Sequence, residues 1–435
     1  MVTSFNLRHL GRPMALAVAL ALTLALALSG GPAAASVVDL FGYGARGAAL
    51  AGAIVSHPTG HAAVYYNPAA LAFESAPSFS IGFQRGDLLL DVNGNPFDAQ
   101  AIPALVLGFG APIPMGGWME RRLTLGLGFV LPQTSILIAD LPRPGTESFV
   151  LLENRAQTVS LQGALGLRLT DSVSVGVGFI ALAALIGQID VAPNDEGQIG
   201  SQVKDEVIAD YATIAGVLFR PLDGLALAAT FHDESRAEFA IPITADLGDQ
   251  FTLPIPPLNL AGIAQYDPRQ ATLEASARPI PALALSLGVT WKQWSAFKNP
   301  IEYTAVPVDF PAQPDPRFKD TFSPRLGVEY THDLDPDLRL TPRLGLAFEP
   351  TPAPEQTGDQ NYLDNNRVVV GLGFEVGWQT LSLAVVGQWH HLLPRTSVKD
   401  PALLNDAILE DNPGAPSITH SGDILFWGVE LGLEL

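Results

Sequence analysis

From residue 78 to the last residue, apolar-alternating runs are joined by connections that are short, then long, then short again. Thr170-Asp171, Pro221–Gly224, Pro279–Pro281, His332–Asp337 and Trp378–Thr380 are the tight ones. Between them fall polar or Pro-rich stretches at 92–100, 139–152, 191–202, 244–266, 305–319, 351–364 and 396–417. A barrel that crosses a membrane with strands has this asymmetry, with tight turns at one rim and long loops at the other.

The runs between the connections have a period of two. Leu123, Leu125, Leu127 and Phe129 alternate with Thr124, Gly126 and Gly128, and Leu283, Leu285, Leu287, Val289 and Trp291 oppose Ala284, Ser286, Gly288, Thr290 and Lys292. The chain ends in the same way, with Leu425, Trp427, Val429, Leu431, Leu433 and Leu435 against Glu430, Gly432 and Glu434. Successive side chains of a strand point to opposite faces, so each run has one bulky apolar face and one small or polar face. A soluble sandwich would turn its bulky face into a shared core and a polar face outward. A face of Gly, Ala, Ser and Thr instead suits a crowded, wet lumen, with the bulky face against lipid. Trp291, Trp378, Trp389, Trp427 and Tyr330 lie in or at the ends of runs, where interfacial girdles belong.

The pattern predicts strands at 78–91, 101–113, 121–138, 153–170, 172–190, 203–220, 223–243, 268–279, 281–304, 320–332, 337–350, 365–378, 380–395 and 418–435. The fold class is therefore all-β, a 14-stranded antiparallel transmembrane β-barrel. Closure removes the edges that lipid would not tolerate. An even count returns the C-terminus to the rim of the first strand and makes the short turns periplasmic.

The N-terminus reads as a cleaved export signal over residues 1–35. Arg8 and Arg12 precede an apolar stretch from Met14 to Leu28, and Ala33-Ala34-Ala35 offers a small-residue cleavage site. The stretch is shorter than the roughly 20 residues of a spanning helix. Residues 36–76 are rich in small residues, fit no strand, and precede the barrel at 77–435. They are expected to plug a lumen too wide for wall side chains to fill. Losing Arg8 and Arg12 leaves 22 basic residues against 44 acidic ones, a net charge of −22. That balance speaks against nucleic acid or an anionic membrane surface as partner. With no cysteine, there is no disulfide framework or Cys-ligated metal.

Gly44-Ala-Arg-Gly-Ala-Ala-Leu-Ala-Gly52 and Ala63-Val-Tyr-Tyr-Asn-Pro-Ala-Ala-Leu-Ala72 resemble the plug of the FadL/TodX family of outer-membrane long-chain fatty-acid and hydrocarbon transporters. Asn67-Pro68-Ala69 is similar to that family's plug signature. Val289 to Phe297, with its Trp-x-x-Trp-Ser core, Phe318 to Tyr330, Leu344 to Pro354 and Asp364-Asn-Asn-Arg367 resemble its later strands, in order. The resemblance implies a plugged fourteen-stranded barrel. It also implies outer capture of an apolar molecule, plug movement, and sideways exit through a kinked third strand. Two features depart from it: the loop at 191–202 is short, and the last residue is Leu435 rather than an aromatic.

Candidate residues follow. Phe251, Leu253, Ile255 and Leu258, with Leu260 and Ile263, are unusually apolar for the connection 244–266, and form either a capture groove or a lid over the mouth. Each methylene taken from water is worth about 0.8 kcal/mol, so such a patch holds a long chain well. Lys319 and Arg155, with Arg317, lie near strand ends and are candidates for a carboxylate head group. Pro132, after Gly126 and Gly128, is expected to break the third strand's pairing, making Gly128 and Pro132 a lateral gate. Asn67-Pro68 is turn punctuation and, with Ala69, part of a mobile stopper.

Several signals point elsewhere and are set aside. Gly42-Tyr-Gly-Ala-Arg-Gly47 matches a dinucleotide pattern but follows no strand, which leaves close packing. His390-His391 sits in a strand with its rings on opposite faces. Neither a Gly-x-Ser-x-Gly turn nor a His-Glu-x-x-His pair occurs. The reading is thus a non-enzymatic, monomeric outer-membrane channel without cofactors, in contact with lipid and lipopolysaccharide, for passive uptake of long-chain fatty acids. Aromatic or aliphatic hydrocarbons are the alternative cargo, and an outer-membrane lipid hydrolase is the alternative of another class.

Overall fold

A computed structural model describes residues 37–133, 145–152, 159–193, 199–245, 258–298, 301–303, 315–404 and 412–435. Its strands in chain order begin with β1 Ser78–Val92, β2 Asn95–Phe97, β3 Ile102–Pro112, β4 Leu123–Pro132 and β5 Ser160–Arg168. They continue with β6 Val173–Pro193, β7 Ile199–Leu222, β8 Leu225–His232, β9 Ser235–Ala245, β10 Leu258–Asp267, β11 Gln270–Ile280 and β12 Leu283–Lys292. The last are β13 Ile301–Tyr303, β14 Thr321–Tyr330, β15 His332–Asp333, β16 Leu338–Glu349, β17 Arg367–Trp378, β18 Leu381–Val398 and β19 Ser417–Glu434.

Fourteen of these make the wall, each antiparallel to the next, and β19 closes on β1 from Ser78↔Glu434 to Val92↔His420. The wall partners run β1, β3, β4, β5, β6, β7, β8, β11, β12, β14, β16, β17, β18 and β19. Closure leaves the wall without a free edge, which a hydrocarbon surround demands. The bulky face points out as expected: Phe109, Leu127, Leu165, Val177, Phe219, Phe231, Leu287, Leu326, Leu346, Phe374, Val385 and Trp427 are all exposed. So large an apolar band would aggregate in water and is stable against acyl chains. Trp378 and Tyr330 stand exposed at the short-turn rim, and Trp389 is exposed further up the wall.

Three expectations change. The seventh run is not one wall strand: it leaves the wall after His232, and β9 pairs with β10 and, in parallel, with β6 from Leu185↔Phe239 to Val191↔Ala245. This ribbon skips over β7, because β6 and β7 rise together above the point where β5 ends. The stretch expected as a loop to residue 266 is already strand from Leu258. The ninth run ends at Lys292 and turns through a short 3-10 helix, Trp294–Ala296.

On its β3 side the third strand shows no break. β4 pairs with β3 without a shift from Pro112↔Thr124 to Ala104↔Pro132, and with β5 as far as Val130↔Ser160. Pro132 stands at the strand's end, where its missing N–H costs the ladder least. The export segment 1–35, together with Arg155, Phe251, Leu253 and Ile255, lies outside the described residues.

Candidate functional site

The lumen is filled from the N-terminal side. Three short helices, α1 Val37–Phe41, α2 Gly44–Ala49 and α3 Ala62–Tyr66, lead into a 3-10 turn at Pro68–Phe73. Asn67 caps that turn: its Oδ1 accepts from the Ala69 amide at 3.1 Å while Nδ2 donates to the Val55 carbonyl at 3.0 Å. Ser174 on β6 donates to the Ala69 carbonyl at 2.7 Å. Asn67-Pro68-Ala69 is therefore a turn that docks on the wall.

The small inner face exists to admit this segment. A methyl group at Gly176 would lie 2.2 Å from the Pro68 carbonyl carbon, at Gly345 2.1 Å from that of Leu50, and at Gly371 2.6 Å from the Ala49 oxygen. Within the segment, Gly47 packs against Tyr66 and Gly42 lies beside its hydroxyl with φ +94°, so the Gly-rich pattern near residue 42 serves packing.

Charges fasten the segment to the wall. Asp39 pairs with Lys292 at 3.0 Å, and Lys292 reaches Glu349, which also holds Arg325. Arg46 meets Glu329 at 2.8 Å, and Arg343 bridges Glu329 to Glu375. Ser56 donates to Glu274, and the Ala45 amide to Glu430. Buried ions are tolerable only when paired in this way. Beside the Asp39 cluster, Arg367 is buried, yet its Nε and Nη1 have no hydrogen-bond partner. It lines a cavity of about 60 Å³ between Phe41, Tyr65, Tyr66 and the wall.

At the β3–β4 seam two successive inward pairs are glycine against glycine, Gly108↔Gly128 and Gly110↔Gly126. No wall side chain crosses the seam there. Tyr43, His61 and Val64 fill it: the Tyr43 hydroxyl donates to the Leu107 carbonyl at 2.8 Å, and a methyl group would lie 2.4 Å from that hydroxyl at Gly128, 2.1 Å from the His61 Cβ at Gly108 and 2.4 Å from a Val64 methyl at Gly126. Gly128 thus makes room for a tyrosine.

The outer mouth is closed by a wedge that sequence reasoning missed inside the stretch 139–152. Phe149, Val150, Leu151 and Leu152 are each at most 4% exposed, although they lie in a loop. Phe149 packs edge-on against Phe97 and His420, in one apolar cluster that continues through Leu90, Ile102, Val130 and Leu182 to Phe41 and Tyr43. Val150 and Leu151 join a second cluster with Tyr266, Trp294, Phe297 and Phe318. Ser148 ties the wedge to the facing loop, its amide donating to the Asn361 carbonyl and its carbonyl accepting from the Leu363 amide. Four apolar residues in a row, Phe149-Val-Leu-Leu152, were the available signal.

Other candidates fall apart from this axis. Lys319 and Arg317 are exposed on the outer side, the Lys319 amide bonding the Pro352 carbonyl. Leu258 begins β10, which pairs with β9 and, from Leu260↔Tyr303 to Gly262↔Ile301, with β13. His390 is buried against Phe41 while His391 reaches Asp423 on the outer face, so the two rings do diverge. Among the described residues no cluster of His, Cys, Asp and Glu is arranged to hold a metal ion.

The fold recurs in solved structures. A FadL homologue from Pseudomonas aeruginosa superposes with a TM-score of 0.61 at 15% identity, covering 90% of this chain and 98% of that one. The toluene transporter TodX of Pseudomonas putida gives 0.54 at 16%, covering 90% and 98%. The monoaromatic hydrocarbon channel CymD gives 0.52 at 11%, covering 91% and 98%. No curated protein sequence matches the chain. A family model described as outer membrane protein transport protein (OMPP1/FadL/TodX) matches residues 24–386. With that match and this barrel together, the chain belongs to the FadL/TodX family of outer-membrane channels for hydrophobic molecules.

Proposed function

We propose that the protein takes up apolar small molecules passively, that hydrocarbons are its favoured cargo, and that residues 36–76 act as the plug. The observation that carries this is the apolar cluster running from Phe149 and Phe97 at the outer mouth to Phe41 and Tyr43 beside the wall. A water pore has no use for it, whereas a greasy solute moving along it stays out of water throughout. Lys292, Arg325, Arg343 and Arg46 are already paired with carboxylates, which leaves them poor partners for a cargo head group. The solved relatives named for toluene and monoaromatic hydrocarbons support the same preference.

Exit is sideways, at the β3–β4 seam rather than at a kink near Pro132. Withdrawing Tyr43 together with His61 and Val64 would uncover a stretch of wall held by backbone alone. Expression in a host lacking such channels should speed entry of labelled toluene and leave sugar uptake unchanged. Equal toluene entry with and without the protein would end the reading.

A second reading, long-chain fatty acids, has one observation in its favour, the unpartnered nitrogens of buried Arg367. A carboxylate there would gain charge-assisted hydrogen bonds. Arg367→Gln should then slow oleate uptake and spare toluene uptake; equal effects on both would remove the fatty-acid reading.

A further inference from the structure

Arg168 on β5 and Arg220 on β7, both half-buried, and the exposed Arg278 on β11 lie together at the short-turn end of the barrel. With Ser56, His57 and Phe73 they line a cavity of about 650 Å³, a size that suits a small organic molecule. Arg220 lies over the Phe73 ring at 3.7 Å. Arg168 donates from Nη2 to the Arg121 carbonyl at 3.2 Å, while its Nε is buried without a partner.

Asp171 and Asp223 bound the same cavity from two turns. Even so, among the described residues none of the three arginines forms an ion pair, unlike Arg46, Arg325, Arg339 and Arg343 in the other half of the lumen. The charges that act on Arg220 are Arg278, which repels it, and Glu74, whose carboxylate accepts from the Gly60 amide at 2.8 Å. In a chain of net charge −20, a positive cavity is not a by-product of composition. Like charges gathered in a partly desolvated space repel, and an anion between them relieves that repulsion.

We propose that this cavity is an anion site, taking the carboxylate or phosphate of a small molecule that enters from the periplasmic side. It is separate from the apolar path and from Arg367. Guanidinium forks suit both oxyanions, and Phe73, Leu222, Leu225 and Ala226 offer an apolar flank to the rest of the ligand. Ser56, His57 and Phe73 of the N-terminal segment and the turns at Asp171-Ser172 and Pro221–Gly224 bound the cavity, which puts it at the short-turn end, within reach of a small soluble anion.

The test uses the full chain in non-ionic detergent at low ionic strength, with succinate and inorganic phosphate as probes and phosphatidylglycerol as a separate arm. Saturable binding of either soluble probe is expected, weakened about tenfold or more in Arg220→Gln combined with Arg278→Gln. Arg339→Gln, at the same rim but paired with Asp333 and outside the cavity's lining, should leave it unchanged. In the unaltered protein, the bound probe should slow phenylglyoxal modification of Arg168, Arg220 and Arg278 but not of Arg339, which needs no variant to fold. No saturable binding, binding that survives the double substitution, or protection by phosphatidylglycerol alone would overturn the proposal.

Discussion

Gly176 has no room for a methyl group, because the Pro68 carbonyl carbon occupies the place. At this scale the lumen is a set of backbone contacts that only glycine permits. Gly176→Ala should cost about 1–3 kcal/mol, as overpacking does, and expose the N-terminal segment to protease. Gly116→Ala, with nothing within 4 Å of the added carbon, should cost nothing measurable. Denaturant titration of both variants in detergent checks the pair, and equal stabilities would show that the close approach is dispensable. Tyr43 offers a second test. Tyr43→Phe removes the donor to the Leu107 carbonyl at the β3–β4 seam, so the amide of Phe129, paired with Leu107, should exchange its hydrogen faster. Unchanged protection at Phe129 would mean that the seam closes without it.

Among the elements, the strands were legible and the loops were not. Fourteen wall strands follow from the period of two, since lipid outside and a filled lumen inside impose opposite demands on alternate residues. Where a run rises above the membrane that demand lapses, and the pattern stops marking the wall; this is why the run after Leu225 seemed to stay in the barrel to residue 243 when it leaves at His232. The Gly126–Gly128 pattern was read as a weak point in pairing, but these glycines face Val64, Leu71 and Tyr43 across the lumen. Contacts of that range are absent from a local pattern. Lys292 showed as a polar residue on the small face, yet nothing in its neighbourhood of sequence points to Asp39. The Phe149–Leu152 wedge makes the element-scale prediction. Phe149→Ser with Leu152→Ser should loosen the outer mouth, raising uptake of toluene and the protease sensitivity of the loop. Lower uptake with intact folding would instead make the wedge part of the capture surface.

For the molecule as a whole, three layers share one axis: an outer wedge, an apolar cluster through the lumen, and a segment fastened by ion pairs to β12 and β14 and by a hydrogen bond to β19. The proposed transport requires that the last of these yield, and the absence of native cysteine makes that testable with one introduced bridge. A carbon added at Gly327 would lie 3.1 Å from the Ala53 Cβ, a few tenths of an ångström short of the roughly 3.5–4.5 Å that a disulfide spans, and 2.5 Å from the Ser286 hydroxyl, so a bridge forms there after a small local shift. Ala53→Cys combined with Gly327→Cys therefore ties the segment to β14. The decisive measurement is labelled toluene uptake by cells carrying this variant, oxidised and then reduced. Uptake that falls to the channel-free level when the bridge forms and returns on reduction is the predicted result; equal uptake in both states would contradict the account.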